Sequence, residues 1–174
     1  MIIRPLAASE QNVVKNFYLA LSTEDRRKRF CCTVSDYAIS NYVDGLNFTL
    51  HLVLGAFSDE SQLIGVAELA PGATAREMAF AVREDLRSKY IGTRLMERIL
   101  CHARMRGVRK VLAMFLADNT PMRKMAIRAG MLVQTVSGEV YASRDLPRPS
   151  ADDIHQWAID EAVGQAEART STIM

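Results

Sequence analysis

The chain has 174 residues, of which 49% are hydrophobic and 24% are charged, and its formal net charge is +2. This length and composition predict a single globular domain that needs neither a disulfide nor a metal ion for stability. No apolar run approaches the ~20 residues of a membrane span, and the first residues do not resemble an export signal. We therefore expect a cytoplasmic protein that does not enter the membrane.

The distribution of charge limits the possible ligands, and the spacing of the cysteines bears on whether they form disulfides or bind a metal. Residues 150–174 contain five acidic residues and one arginine, so they carry −4, which leaves +6 on the rest of the chain. A mildly basic body suits an anionic ligand, but the signal is too weak to indicate nucleic-acid binding. Cys31, Cys32 and Cys101 have neither zinc-site nor CxxC spacing, so we expect free thiols.

The first half of the chain alternates apolar segments with helix-capping residues. We predict a strand at Ile2–Leu6 and then three helices: one capped by Ser9 and ending near Leu21, one opened by Ser22, and one over Cys32–Val43. Three strands follow, at Phe48–Phe57, Gln62–Leu69 and Arg76–Val82.

The second half has a clearer pattern, with a helix over Ile91–Gly107, a buried strand over Val108–Leu116, a helix from Asn119 to Gly130, and a hairpin formed by Leu132–Val136 and Glu139–Ser143. A proline-containing linker precedes a last helix that Ser150 opens. We predict a domain over residues 1–146, followed over residues 147–174 by this linker and an acidic C-terminal helix.

The segment between the strand ending at Val82 and the helix starting near Ile91 is the candidate ligand site. The first backbone N–H groups of a helix have no intrahelical partner, so they can bind a phosphate group. The segment Arg87-Ser88-Lys89-Tyr90-Ile91-Gly92 resembles the Gln/Arg-x-x-Gly-x-Gly/Ala signature with which GNAT N-acetyltransferases bind acetyl-CoA.

Tyr90 replaces the first glycine of that signature. A bulky residue disfavours a positive φ and limits how closely a ligand approaches the backbone. Two outcomes follow for the cofactor: it binds more weakly, or the tyrosine points outward over it.

A second GNAT signature begins with Asn and ends with glycine eleven positions later. Here Asn119 precedes Gly130 by eleven residues. The resemblance implies that Asn119 contacts the pantetheine arm, caps the following helix, or does both. The two signatures occur in the family's order, separated by a helix and a buried strand, which is more specific than either signature alone.

The resemblance can be narrowed to the catalytic domain of bacterial GNAT protein lysine acetyltransferases, including those that modify acyl-CoA synthetases. The matching segments are Ile3-Arg4-Pro5, Leu21-Ser22, Arg26–Phe30 and Glu77-Met78-Ala79. The resemblance implies an α/β fold of the α+β type, with a mixed, mostly antiparallel sheet flanked by helices. It also implies acetyl-CoA between the fourth and fifth strands.

The resemblance assigns roles to particular residues. Glu77 is the expected general base, in an apolar setting that would raise its pKa, and Glu68 is the weaker alternative. A structural role for Glu77, paired with Arg76 or Arg83, stays open. The residues expected to bind the cofactor are Ala81, Val82, Arg87, Ser88, Lys89, Tyr90, Ile91, Gly92, Thr93 and Asn119.

The sequence identifies neither a general acid nor a metal site. The family's tyrosine acid is replaced by Ala126, and Tyr90, Tyr141 or Cys101 could substitute for it. The chain has three histidines that form no spaced cluster, so we expect no metal site; they are His51, His102 and His155.

We therefore expect acetyl-CoA-dependent N-acetylation of a primary amine, with a protein lysine as preferred acceptor. A small-molecule amine and a non-catalytic acyl-CoA sensor remain alternatives. The basic segment Arg26–Arg29 is either a solvated helix face or a positive wall beside the substrate. The C-terminal helix either shields the site or mediates a dimer, so the sequence leaves both a monomer and a homodimer open.

Overall fold

The computed structural model describes residues 1–87 and 89–171 and contains a seven-stranded sheet. In chain order the strands are β1 (Ile2–Pro5), β2 (Leu52–Phe57), β3 (Leu63–Ala70), β4 (Arg76–Val82), β5 (Lys110–Leu116), β6 (Leu132–Val136) and β7 (Glu139–Asp145). Their order in the sheet is β1-β2-β3-β4-β5-β7-β6, and each pair is antiparallel except β4 with β5. The expected mixed, mostly antiparallel sheet is confirmed.

Helices pack on both faces of the sheet, leaving part of one face exposed, and the buried hydrophobic residues form two clusters. They are α1 (Gln11–Leu19), α2 (Thr23–Phe30), α3 (Asp36–Asp44), α4 (Ile91–Met105), α5 (Thr120–Arg128) and α6 (Ala151–Ser171). The apolar stripe of α4, which includes Leu95 and Ile99, packs on one face of the sheet. Val14 of α1 and Val43 of α3 pack with Val53 on the other face. No described helix is long and apolar enough to cross a membrane.

Several predicted boundaries differ from the structure, and three of the differences have a local cause. Ser9 does not cap a helix, because a 3-10 turn precedes α1 and brings Glu10 into a buried ion pair with Arg4 at 2.7 Å. The third helix starts at Asp36, because Ser35 caps it by accepting from the N–H of Ala38. The second strand starts at Leu52 rather than Phe48, since residues 47–50 form a turn.

The parallel strands β4 and β5 pair over only two positions. Arg76 pairs with Val111 and Glu77 with Leu112, and beyond them the strands separate. Strand β4 continues its ladder with β3 to Val82, and β5 continues its ladder with β7 to Leu116. The two inner edges therefore face a gap, and backbone hydrogen-bonding groups along it are available to a ligand.

The C-terminal helix α6 packs against α4 and β1. Its Asp160 is 2% exposed and accepts hydrogen bonds from Arg98 at 2.6 Å and from His102 at 3.1 Å. Near the start of the helix, Asp153 accepts from Nε of Arg104 at 2.8 Å. The acidic residues of α6 thus neutralise cations of α4, which ties the helix to the domain.

Replacing Asp160 with alanine should destabilise the protein by about 3 kcal/mol, because Arg98 and His102 lose a buried charged partner. Urea unfolding would measure the change. Asp152→Ala is the matched control, since Asp152 is an exposed acid of the same helix. Equal stability of the two variants would contradict the role assigned to Asp160.

Candidate acetyl-CoA site

A cavity of about 520 Å³ opens where β4 meets the start of α4, between α2 and α5. Eight of the ten sequence-predicted cofactor residues line it: Ala81, Val82, Arg87, Tyr90, Ile91, Gly92, Thr93 and Asn119. Lys89 is exposed nearby and does not line the cavity, and Ser88 lies outside the described residues. The structure therefore brings together residues from both sequence signatures.

The start of α4 forms one end of this cavity. Tyr90 is the residue before the helix, and no side chain caps the first turn. The backbone N–H groups of Ile91, Gly92 and Thr93 are therefore without an intrahelical partner, as expected for the first turn of a helix. A Cβ at Gly92 would lie 3.3 Å from the sulfur of Met125, so glycine permits close packing of α4 and α5. This arrangement can bind an anionic phosphate group.

Tyr90 adopts a left-handed backbone conformation, which its bulky side chain was expected to disfavour. Its φ is 60° and its ψ is 11°, in the left-handed region that usually favours glycine. The side chain is 70% exposed and borders the cavity. The turn thus follows the path of a glycine although it carries a tyrosine, at a conformational cost of about 1 kcal/mol.

The basic segment of α2 is neutralised by acids. Arg26 pairs with Asp36 at 2.5 Å, Arg27 and Lys28 pair with Glu24 at 2.9 and 3.1 Å, and Arg29 pairs with Glu68 at 2.9 Å. Arg27 also pairs with Asp118, in the turn between β5 and α5. The expectation of a positive wall is therefore wrong, because each of these cations already has an anionic partner.

Asn119 lies on the other side of the gap and caps α5. Its side-chain oxygen accepts a hydrogen bond from the N–H of Met122 at 3.3 Å, which is the expected capping geometry.

The position of the family's tyrosine acid is closed off in this structure. Ala126, which stands there, is a fully buried residue of α5. Of the three residues proposed to replace the acid, only Tyr90 lines the cavity. Cys101 is buried against the carbonyl of Asp153, and Tyr141 donates to Glu139 on β7.

Glu77 stands where β4 and β5 separate, outside the lining of the cavity. Its side chain is exposed, so the expected enclosure by apolar neighbours is wrong. The alternative pairing is not found among the described residues either, since Arg76 donates to the carbonyl of Leu50 and Arg83 pairs with Asp85. Within the described part of the chain, the Glu77 carboxylate has no hydrogen-bond or ion-pair partner.

The Glu68 carboxylate is surrounded by hydrogen-bond donors and already paired with them. It is 1% exposed and accepts hydrogen bonds from the hydroxyl groups of Tyr18, at 2.5 Å, and Tyr42, while Arg29 forms the ion pair. Burial raises the pKa of Glu68, but Arg29 and the tyrosine hydroxyls outweigh burial and hold this pKa below its usual value. Glu68 is therefore not available as the alternative base.

No sequence pattern indicated this cluster around Glu68. Its members come from α1, α2, α3 and β3, and they meet only because the three helices converge on one face of the sheet. Phe30 adds edge-to-face ring contacts with Tyr18 and Tyr42, with centroids 5.6 and 5.4 Å apart. The cluster fixes α2 beside the cavity.

A partly exposed sheet face of mixed polarity continues from Glu77 across β5, β7 and β6, and its polar members include Lys110 and Gln134. Glu77 pairs with Leu112, and Met114 pairs with Tyr141 on the same face. Leu132 and Val136 of β6 lie beside Ser143 and Glu139 of β7, so they share this face. The residues Met114, Tyr141, Leu132 and Val136 are 48, 44, 76 and 55% exposed, respectively. We call this the open sheet face.

Helix α6 does not line the cavity, since the described lining residues come from α2, β4, α4, α5 and the connecting turns. The expectation that it shields the site is therefore wrong, and its role in a dimer stays a prediction. Within residues 1–87 and 89–171, no group of three or more metal-binding side chains is found.

Tyr90→Gly should stabilise the protein by about 1 kcal/mol relative to Tyr90→Ala, because only glycine adopts the left-handed conformation without strain. Comparing the two variants by urea unfolding removes the effect of losing the ring. If Tyr90→Ala proved as stable as Tyr90→Gly, the backbone strain assigned to this turn would be absent.

Glu68→Gln should destabilise the protein by about 3 kcal/mol at neutral pH, since Arg29 loses its buried partner. The folded pKa of Glu68 is lowered, so its stabilisation is present above the unfolded pKa of about 4.3 and is lost as pH falls through the folded value.

The difference in unfolding free energy between wild type and Glu68→Gln should therefore shrink as pH is lowered from neutral to about 3. The exposed-site control Glu60→Gln should follow wild type throughout. A difference between wild type and Glu68→Gln that stays constant with pH would contradict an ionised Glu68.

Comparison with known proteins agrees with this geometry. Residues 19–131 match the model described as "Acetyltransferase (GNAT) family". The GNAT domain of S. lividans PAT is 24% identical with a TM-score of 0.70, covering 83% of this chain and 89% of that one. The ribosomal-protein-alanine N-acetyltransferase of Brucella melitensis is 17% identical with a TM-score of 0.66, covering 84% and 100%.

A cAMP-binding acyltransferase of Mycobacterium smegmatis is 24% identical with a TM-score of 0.56, and the alignment covers 83% of this chain and 43% of that longer one. At these identities the structural likenesses show the fold, whereas the family match spans more than half of the chain. The chain therefore belongs to the GNAT family of acetyltransferases, which use acetyl-CoA as co-substrate.

Proposed function

We propose that this protein transfers the acetyl group of acetyl-CoA to the side-chain amine of a protein lysine, with Glu77 as general base. The observation that carries the proposal is the position of Glu77, exposed where β4 and β5 separate and adjoining the open sheet face. An open surface that exposes several large apolar side chains suits a macromolecular acceptor, whereas small-molecule sites are usually concave.

The residues at the start of α4 fit the nucleotide part of acetyl-CoA. The unpaired N–H groups at Ile91, Gly92 and Thr93 suit its pyrophosphate. Cations around the same cavity suit an anionic nucleotide; Arg87, Lys124 and Arg128 line it, and Lys89 lies exposed beside it. Ser88 completes the proposed segment by sequence.

The gap between the strands fits the pantetheine arm of acetyl-CoA. The inner edge of β4 at Ala81 and Val82 has backbone groups that can pair with the amide groups of the arm. Asn119 lies across the gap and lines the same cavity. The arm would therefore extend from the start of α4 toward the point where β4 and β5 separate.

The chemistry requires a neutral amine. A lysine with a pKa of about 10.4 is protonated near neutral pH, so a base must accept its proton. Glu77 accepts one proton from the ammonium group, and the neutral nitrogen then attacks the thioester carbonyl to form the C–N bond; the second proton of the nitrogen passes to the departing sulfur. A backbone N–H of Ala81 or Val82 stabilises the oxyanion, and the C–S bond then breaks to release CoA as the thiol, which carries the second proton of the amine. Much of the rate comes from holding amine and thioester together.

We assign this function to the domain over residues 1–146. The acidic helix α6 packs against α4 and β1, on elements that the open sheet face does not include.

Glu77→Gln should lower the rate of acetyl transfer by about a hundredfold or more, because the amine loses its proton acceptor. CoA affinity should remain unchanged, since Glu77 does not line the cavity. Labelled acetyl-CoA, incubated with the protein and a lysate of deacetylase-deficient cells, would measure transfer to protein. Glu60→Gln, an exposed site in the turn between β2 and β3, is the control.

Labelled protein bands that disappear with Glu77→Gln and persist with Glu60→Gln would support both the acceptor class and the base. Transfer to small amines without protein labelling would overturn the lysine assignment. CoA binding with no transfer to any amine would favour the acyl-CoA sensor instead.

A further inference from the structure

The ion pair between Asp25 and Arg87 joins α2 to the turn before α4. Asp25 lies in the first turn of α2, and its N–H donates to the capping Ser22. Its carboxylate is only 6% exposed and accepts a hydrogen bond from Nη2 of Arg87. Both residues line the cavity. A carboxylate this buried needs a cationic partner, and Arg87 is the one found among the described residues.

Asp25 occupies one edge of the Arg87 guanidinium and leaves the rest available. The Arg87 side chain is 38% exposed, and the carboxylate of Glu84 is 3.9 Å from Nη1, beyond hydrogen-bonding distance. A guanidinium carries five N–H donors in a rigid plane, which suits two-point binding of phosphate. Holding Nη2 therefore fixes the plane in which Nε and Nη1 can donate.

The helix that carries Asp25 is itself anchored at two further points. Arg27 pairs with Asp118 on the opposite side of the gap, and Arg29 pairs with the buried Glu68 of β3. The backbone around Asp25 is thus held in place from β3 and from the turn before α5. A carboxylate on such a rigid support can orient a neighbouring cation with little loss of entropy on binding.

We propose that Asp25 is a positioning residue for acetyl-CoA, which holds the Arg87 guanidinium oriented toward the pyrophosphate. The inference rests on the proposed function, because it requires Arg87 to contact that pyrophosphate. Asp25 acts only through Arg87, so its effect should appear with ligands that carry the pyrophosphate and vanish with those that lack it.

The test compares the affinity of the protein for CoA with its affinity for pantetheine, which lacks the pyrophosphate. Isothermal titration calorimetry measures both affinities, and a competition titration is used for the ligand that binds more weakly. Asp25→Asn should weaken CoA binding roughly tenfold and leave pantetheine binding unchanged. Combining it with Arg87→Gln should add nothing to the loss caused by Arg87→Gln alone. Asp36→Asn is the matched control, since Asp36 pairs with Arg26 outside the cavity, and it should bind both ligands like wild type.

Each result decides between defined alternatives. Tighter CoA binding by Asp25→Asn would show that Asp25 competes with the pyrophosphate and would overturn the inference. Equal weakening of both ligands, or an undiminished effect in the Arg87→Gln background, would overturn it as well. If Arg87→Gln does not weaken CoA binding more than pantetheine binding, the proposed contact between Arg87 and the pyrophosphate itself fails. If Arg87→Gln is selective while Asp25→Asn resembles wild type, only the inference fails.

A second variant keeps the inference testable if Asp25→Asn does not fold. Arg87→Lys retains a cation beside Asp25 but removes the planar fork that Asp25 orients. It should lose CoA affinity to a similar extent, again without changing pantetheine affinity. CoA binding at the wild-type level in Arg87→Lys would overturn the inference.

Discussion

The separation of β4 from β5 is the constraint on which the rest of the structure depends. The strands share only two paired positions, so a gap opens inside the sheet and leaves backbone groups without a ladder partner. A gap within a sheet is stable only if surrounding elements hold the two halves together. The neighbouring ladders to β3 and β7 continue on either side of the gap and keep each strand in place.

Helix α2 connects the two sides of this gap. Asp25 contacts the turn after β4 through Arg87, and Arg27 contacts the turn after β5 through Asp118. Arg29 fixes the same helix to β3 through the buried Glu68. Three of the four cations of this basic segment therefore connect α2 to other elements, whereas Lys28 pairs with Glu24 within the helix.

That the proposed cofactor residues lie together could be predicted from the sequence to a large extent, whereas the surroundings of the proposed catalytic carboxylate could not. The proposed site from Tyr90 to Thr93 is a local feature, the start of a helix, which sequence patterns detect well. The exposure of Glu77 and the occupation of Glu68 depend on which elements converge above the sheet. Such contacts join residues far apart in the chain, and no spacing rule encodes them.

By itself the sequence determined the order of the elements, the two GNAT signatures and the caps at Ser22 and Asn119, because these depend on neighbouring residues and on hydrophobic periodicity. Only the tertiary structure decided that Tyr90 adopts a left-handed conformation and that Arg87 pairs with Asp25. Packing against distant elements stabilises the fold enough to hold a strained backbone conformation, and it provides the partner for a buried charge. A local segment of the chain provides neither.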